Sequence, residues 1–108
     1  VNPDGLANQL EGGVLQAASW TLMEQVQYSP DGIESLDWDT YPVLRFAEVP
    51  EVSVKLLDQP GSPSLGSGEA TQGPTPAAIA NAVFDALGVR LRQMPFTPER
   101  VSAALQKL

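Results

Sequence analysis

Between Gln59 and Pro74 the sequence loses its hydrophobic periodicity and turns rich in Gly, Pro and Ser. A connection of that kind inside a small domain is either functional or disordered. It therefore decides how the segments on either side can be arranged. Its end, Gly66-Ser67-Gly68-Glu69-Ala70-Thr71-Gln72-Gly73-Pro74-Thr75-Pro76, sets one carboxylate among glycines just ahead of a helix start. Glycine permits positive φ and lets another group approach closely. A helix beginning near Thr75 would turn its positive pole towards the loop. Two readings stand at this point: a flexible linker, or a loop that holds a single acid, Glu69, against a ligand.

Ahead of the loop, residues 3–25 read as a helix, capped by Asn2 with Pro3 at its first position. Leu6, Leu10, Val14, Ala18 and Leu22 form the apolar stripe, widened by Leu15 and Met23. Gly12-Gly13 interrupts it, for close packing against a neighbour or, less commonly, for a ligand against the backbone. Val26 to Tyr28 and Ile33 to Trp38 read as hairpin strands around Ser29-Pro30-Asp31-Gly32, which has the residues of a type I turn. Residues 39–50 read as an extended connection through Tyr41-Pro42 and Val49-Pro50. Val52, Val54 and Leu56 alternate with Ser53, Lys55 and Leu57 as in a half-buried strand.

Beyond the loop, Thr75 is expected to cap a helix with Pro76 first, Ile79, Val83 and Leu87 inward, and Gly88 as its stop. Val89 to Met94 reads as a short strand. Thr97-Pro98 opens a last helix with Val101, Ala104, Leu105 and Leu108 inward. This order predicts one domain over residues 1–108 of class α+β, with helices packed on a small mixed sheet. Val1 is not an initiator Met, and Asn2-Pro3 already sits at an element boundary, so the chain is read as a piece of something larger.

Several chemistries are excluded by composition. The 108 residues contain no Cys and no His, so thiolate and imidazole chemistry are absent, as are the commonest transition-metal ligands. With 6 Lys and Arg against 13 Asp and Glu, the net charge is -7, which argues against nucleic acid as a partner. A hydrophobic content of 43% suits a folded chain. No apolar run approaches the roughly 20 residues that span a bilayer.

Among candidate residues, Glu69 leads as a general base. Asp37, Trp38, Asp39 and Tyr41 cluster, but acids at a strand end are routinely solvated. Arg90 and Arg92 read as the wet face of a strand, and Arg45 as an ion-pair partner of Glu48. Gln9, one turn before the glycine pair, can donate to and accept from an amide-like edge of a ligand.

In order and spacing these pieces resemble the C-terminal part of a molybdopterin-binding large subunit of the xanthine dehydrogenase (molybdenum hydroxylase) family. The resemblance rests on Asn2-Pro3, Gln9-Leu10-Glu11-Gly12-Gly13 with Gln16, Asp39-Thr40-Tyr41-Pro42-Val43-Leu44-Arg45, Glu48-Val49-Pro50-Glu51-Val52, Gly66-Ser67-Gly68-Glu69 and Ala80-Asn81-Ala82. Gly68-Glu69-Ala70-Thr71-Gln72-Gly73-Pro74 is most similar to the isoquinoline 1-oxidoreductase beta subunit and nicotinate dehydrogenase type.

What the resemblance implies is a molybdenum-dependent oxidoreductase that hydroxylates an N-heteroaromatic or aldehyde substrate with water-derived oxygen. Glu69 would be its general base, and Gln9 and Gly68 would touch the cofactor. It implies a molybdenum–molybdopterin cofactor, in the cytosine dinucleotide form, held without protein metal ligands. Its partners would be the rest of the large subunit and a small iron–sulfur (2Fe-2S) subunit, in bacterial cytoplasm or periplasm. The short chain alone is expected to be inactive and empty of cofactor, and to self-associate through an exposed apolar face. The competing readings are a non-catalytic binding or assembly module of the same fold and, more weakly, a stand-alone carboxylate hydrolase.

Overall fold

A computed structural model describes residues 2–107. Val1 and Leu108 lie outside the described residues, and with Leu108 goes one expected inward position of the last helix. Helix α1 runs Pro3–Leu22, with the Asn2 side chain accepting the Gly5 N–H at 3.0 Å and Pro3 at the first helical position. It stops short of the expected residue 25. Met23 leaves helical geometry, and the Met23 and Glu24 N–H groups both turn back to Ser19 O. One of the last free carbonyls, Thr21 O, accepts the Phe96 N–H at 2.6 Å, so a distant segment satisfies the helix end.

The buried face of α1 differs from the expected stripe. Gly13, Ala17 and Thr21 follow one another at helical spacing and are buried, with Ala18 and Ser19 beside them. Of the stripe read from sequence only Ala18 is fully buried; Leu6, Leu10, Val14 and Leu22 are half-covered. The small residues of this face let other segments close on the helix. The closest approach is at Gly13, where an added Cβ would overlap the Thr71 hydroxyl. That hydroxyl donates to Leu10 O at 3.2 Å. Gly12, by contrast, is exposed and faces open space.

Strands β1 (Tyr28–Ser29) and β2 (Gly32–Ile33) form an antiparallel ribbon with Tyr28 opposite Ile33. The turn between them is the one expected, with Gly32 at φ 134°. One further bond, Glu34 N–H to Gln27 O at 2.8 Å, extends the ladder. Helix α2 spans Pro74–Leu87 and packs on α1. It starts at Pro74 rather than Pro76, because the Thr75 hydroxyl does not cap it but donates to Thr71 O at 2.7 Å. Gly88 ends it at φ 71°. Helix α3 is Pro98–Leu105, capped by Thr97.

The class is α+β, with three helices and one two-stranded antiparallel sheet among the described residues. The strands expected at 52–57 and 89–94 are not formed, so the sheet is neither mixed nor a platform for the helices. Both segments keep the expected alternation of exposure, with Val52 and Val54 half-buried and Val89 buried between exposed neighbours. What they lack is a neighbouring strand. A strand sequence without hydrogen-bonding partners stays an extended coil.

The molecule is open for its size. Its accessible surface is 8180 Å², whereas a self-contained domain of this mass exposes about 5,800 Å². Its radius of gyration is 17.1 Å, against about 13 Å for a compact chain of this length. Phe46 is 96% exposed, Leu65 87% and Leu36 80%, so the exposed apolar surface foreseen from the sequence is present.

The two adjacent glycines give opposite expectations. Gly13→Ala should destabilise the chain by roughly 1–3 kcal/mol through overpacking against Thr71. Gly12→Ala should stabilise it by up to about 1 kcal/mol through helix propensity. Thermal unfolding midpoints of the two variants check this, and equal shifts would show that the Gly13 contact is not tight.

Candidate functional site

Gln9 and the Glu69 loop meet. The Gln9 Nε2 donates to Gly68 O at 2.9 Å, across 59 residues of sequence. Two further bonds hold the loop to the same helix: Thr71 Oγ1 to Leu10 O at 3.2 Å and Gln72 Nε2 to Gln16 Oε1 at 3.1 Å. Successive turns carry the backbone from Ser67 into α2, through Ala70 N–H to Ser67 O, Gln72 N–H to Glu69 O, and Thr75 N–H to Thr71 O. Glu69 thus lies between two anchored residues, Gly68 and Thr71. The linker reading does not hold for residues 66–73, since the loop is strapped along α1. The Glu69 side chain is exposed.

Beside this loop, α1 and residues 64–68 enclose a groove of about 450 Å³, lined by Asn2, Leu6, Gln9, Leu65, Ser67 and Gly68 among others. Its polar groups suit a heterocycle rather than an ion. The Gln9 amide keeps one N–H and its carbonyl oxygen after bonding Gly68. No Lys or Arg lines the groove. Among the described residues no three His, Cys, Asp or Glu side chains converge as metal ligands.

Gly66 and Gly68 have no positive φ, and a Cβ at either would meet nothing within 4 Å. Neither backbone strain nor packing within this chain calls for glycine there. The space they leave fits the approach of a group that the chain does not itself supply. The Gln9 amide beside the open Gly68 backbone would fit the edge of a pterin that brings its metal on its own dithiolene.

The chain is 47% identical over 105 residues to a nicotinate dehydrogenase subunit of Pseudomonas putida, covering 97% of this chain and 9% of that protein. It is 38% identical over 106 residues to a membrane-bound aldehyde dehydrogenase (pyrroloquinoline-quinone) of Gluconacetobacter polyoxogenes, covering 98% of this chain and 14% of that protein. The crystal structure of quinoline 2-oxidoreductase from Pseudomonas putida 86 matches with a TM-score of 0.80 and 30% identity, over 93% of this chain and 14% of that one. No protein-family model matches.

The chain belongs to the xanthine dehydrogenase family of molybdenum hydroxylases. Within it, the chain falls with the nicotinate dehydrogenase and isoquinoline 1-oxidoreductase large subunits. It spans only about a tenth of the length of the curated relatives it matches.

The other candidates lie apart from the groove and have structural roles. Asp37 Oδ1 accepts the Thr40 hydroxyl at 2.8 Å and the Thr40 and Asp39 N–H groups at 3.0 and 3.2 Å, closing a turn. The Tyr41 hydroxyl donates to Glu24 at 3.0 Å, which pushes the phenol pKa up. Glu48 accepts the Arg45 backbone N–H at 2.9 Å, so the two residues meet through the main chain in place of the expected ion pair. Arg90 and Arg92 are exposed as expected, with Arg90 bonded to Asn81 and stacked 3.6 Å over the Phe84 ring.

Sequence reading missed Thr71 and Gln72 as anchors of the loop. The only signal for Thr71 was its partner, a glycine placed mid-helix. It also missed Arg100, whose guanidinium ties Pro95 O to Gln25 Oε1.

Asp37 has a sign-definite pH dependence. The Thr40 hydroxyl, then its N–H, hold the carboxyl below its ordinary 3.8. A folded pKa below the unfolded one means the turn's stabilisation is complete above that ordinary value and is lost as pH falls through the folded value. Thr40→Val should move the Asp37 pKa up towards 3.8 in a carboxyl NMR titration; an unchanged pKa would show that the hydroxyl bond is not its cause.

Proposed function

We propose that this chain supplies the base-bearing loop and one cofactor contact of a molybdenum-dependent hydroxylase. Its substrate would be an N-heteroaromatic compound, with an aldehyde as the second class, and the incoming oxygen would come from water. The observation that carries the reading is the Gln9–Gly68 hydrogen bond, which joins two motifs 59 residues apart at one groove. The nicotinate and quinoline in the names of two similar proteins support the heteroaromatic class, and the aldehyde dehydrogenase supports the alternative.

When bound, the molybdenum–pterin group supplies the two-electron redox and oxygen-transfer chemistry. The protein's part is orientation and proton transfer. Gln9, held on α1 and already bonded to the loop, presents its remaining N–H and carbonyl to the pterin edge. Gly68 leaves room for that edge. Glu69, placed between the Gly68 and Thr71 anchors, takes the proton from the attacking oxygen and so acts as general base.

The pterin is placed in its cytosine dinucleotide form. Electrons leave to a small 2Fe-2S subunit, and the remainder of the large subunit covers the exposed apolar surface. The 108 residues alone are expected to be inactive and to hold no cofactor, since most of the large subunit's length lies outside them.

In the assembled enzyme, Glu69→Gln removes the base and nearly preserves the shape. It should lower kcat by roughly 10²–10⁴ with molybdenum content unchanged. Turnover close to that of the parent enzyme would overturn the base assignment and favour the reading as a non-catalytic assembly module. Gln9→Leu should weaken cofactor retention roughly fivefold, the value of one hydrogen bond, measured as molybdenum per protein after dialysis. Full retention would remove Gln9 from the cofactor contact.

A further inference from the structure

From Val49 to Gln59 the chain runs without a bend or a turn. Its exposure alternates as in a strand: Val52 and Val54 are half-buried, and Glu51, Ser53 and Lys55 are exposed. Yet no backbone–backbone hydrogen bond is made by residues 49–58 among the described residues. A stretch of β-branched, straight, half-buried chain with free N–H and C=O groups is a template for strand addition.

We propose that residues 51–57 are an edge strand completed by an extended segment of the rest of the large subunit. Three observations converge on that occupant. The unpaired backbone needs a strand rather than a helix or a small ligand. The accessible surface of 8180 Å² exceeds that of a self-contained chain of this mass by about 2,400 Å², which is the scale of a permanent interface. The relatives extend far beyond this chain, which spans 9% of one and 14% of another. The second strand-like segment, residues 89–94, repeats the pattern, with Val89 buried and no ladder bond formed.

The inference rests on the chain working inside a large subunit, and its test does not depend on turnover. Hydrogen exchange is followed by mass spectrometry in the assembled enzyme, with and without Glu69→Gln. Peptides spanning 51–57 should exchange about 100-fold more slowly than an unprotected chain, in both backgrounds. A second arm compares Ser53→Pro/Val54→Pro with Ser53→Ala/Val54→Ala. Adjacent residues point their N–H groups to opposite edges, so the proline pair removes at least one ladder donor whichever edge is used. The proline pair should lose assembled enzyme and the alanine pair should keep it.

Free exchange of 51–57 in the assembled enzyme would overturn the proposal, as would equal assembly of the two pairs. Protection seen only in the 108-residue chain at rising concentration would assign the edge to a second copy and overturn it as well. None of these outcomes touches the role of Glu69, which the kcat of Glu69→Gln decides separately.

Discussion

A missing side chain at Gly13 is the constraint on which the site depends. It lets the Thr71 hydroxyl reach the α1 backbone and bond Leu10 O. From Thr71 the turns run back to Ser67, and Gly68 lies against Gln9. The rest of the chain is hung on the same helix by polar bonds. Ser19 Oγ takes the Leu44 N–H, Thr21 O takes Phe96, Glu24 takes Tyr41, and Gln25 takes Arg100. Helix α1 and the residues just past its end are thus a spine to which several later segments are fixed. The fully buried residues of its covered face are small, which lets other segments close on it.

Local chemistry was legible and tertiary pairing was not. Asn2, Thr97 and Gly88 mark their helix ends because a cap or an αL stop is settled within a few residues. Ser29-Pro30-Asp31-Gly32 gave its turn for the same reason. Thr75 misled, since a threonine before a proline reads as a cap unless its hydroxyl has a better acceptor, here Thr71 O. Val52 to Leu57 and Val89 to Met94 carry the pattern of strands, but strand formation is decided by a neighbour, and no such neighbour lies among the described residues. The helix stripe failed in a related way. Leu6 and Leu10 stay half-covered, while Gly13, Ala17 and Thr21 are buried.

For the site, Gln9, Gly68 and Glu69 were each weak when read one by one, and their convergence is what the structure adds. The loop supplies position. The Glu69 side chain itself is exposed, one residue beyond the groove's lining.

The long sequence separation of the anchoring bonds has a kinetic consequence. Gln9 meets Gly68 across 59 residues, Leu10 meets Thr71 across 61, and Gln25 meets Arg100 across 75. Closing such a loop costs roughly 4 kcal/mol of chain entropy plus a constant, whereas α1, α2 and α3 are built from neighbours. Contacts of this range set a slower folding rate than the helices alone would.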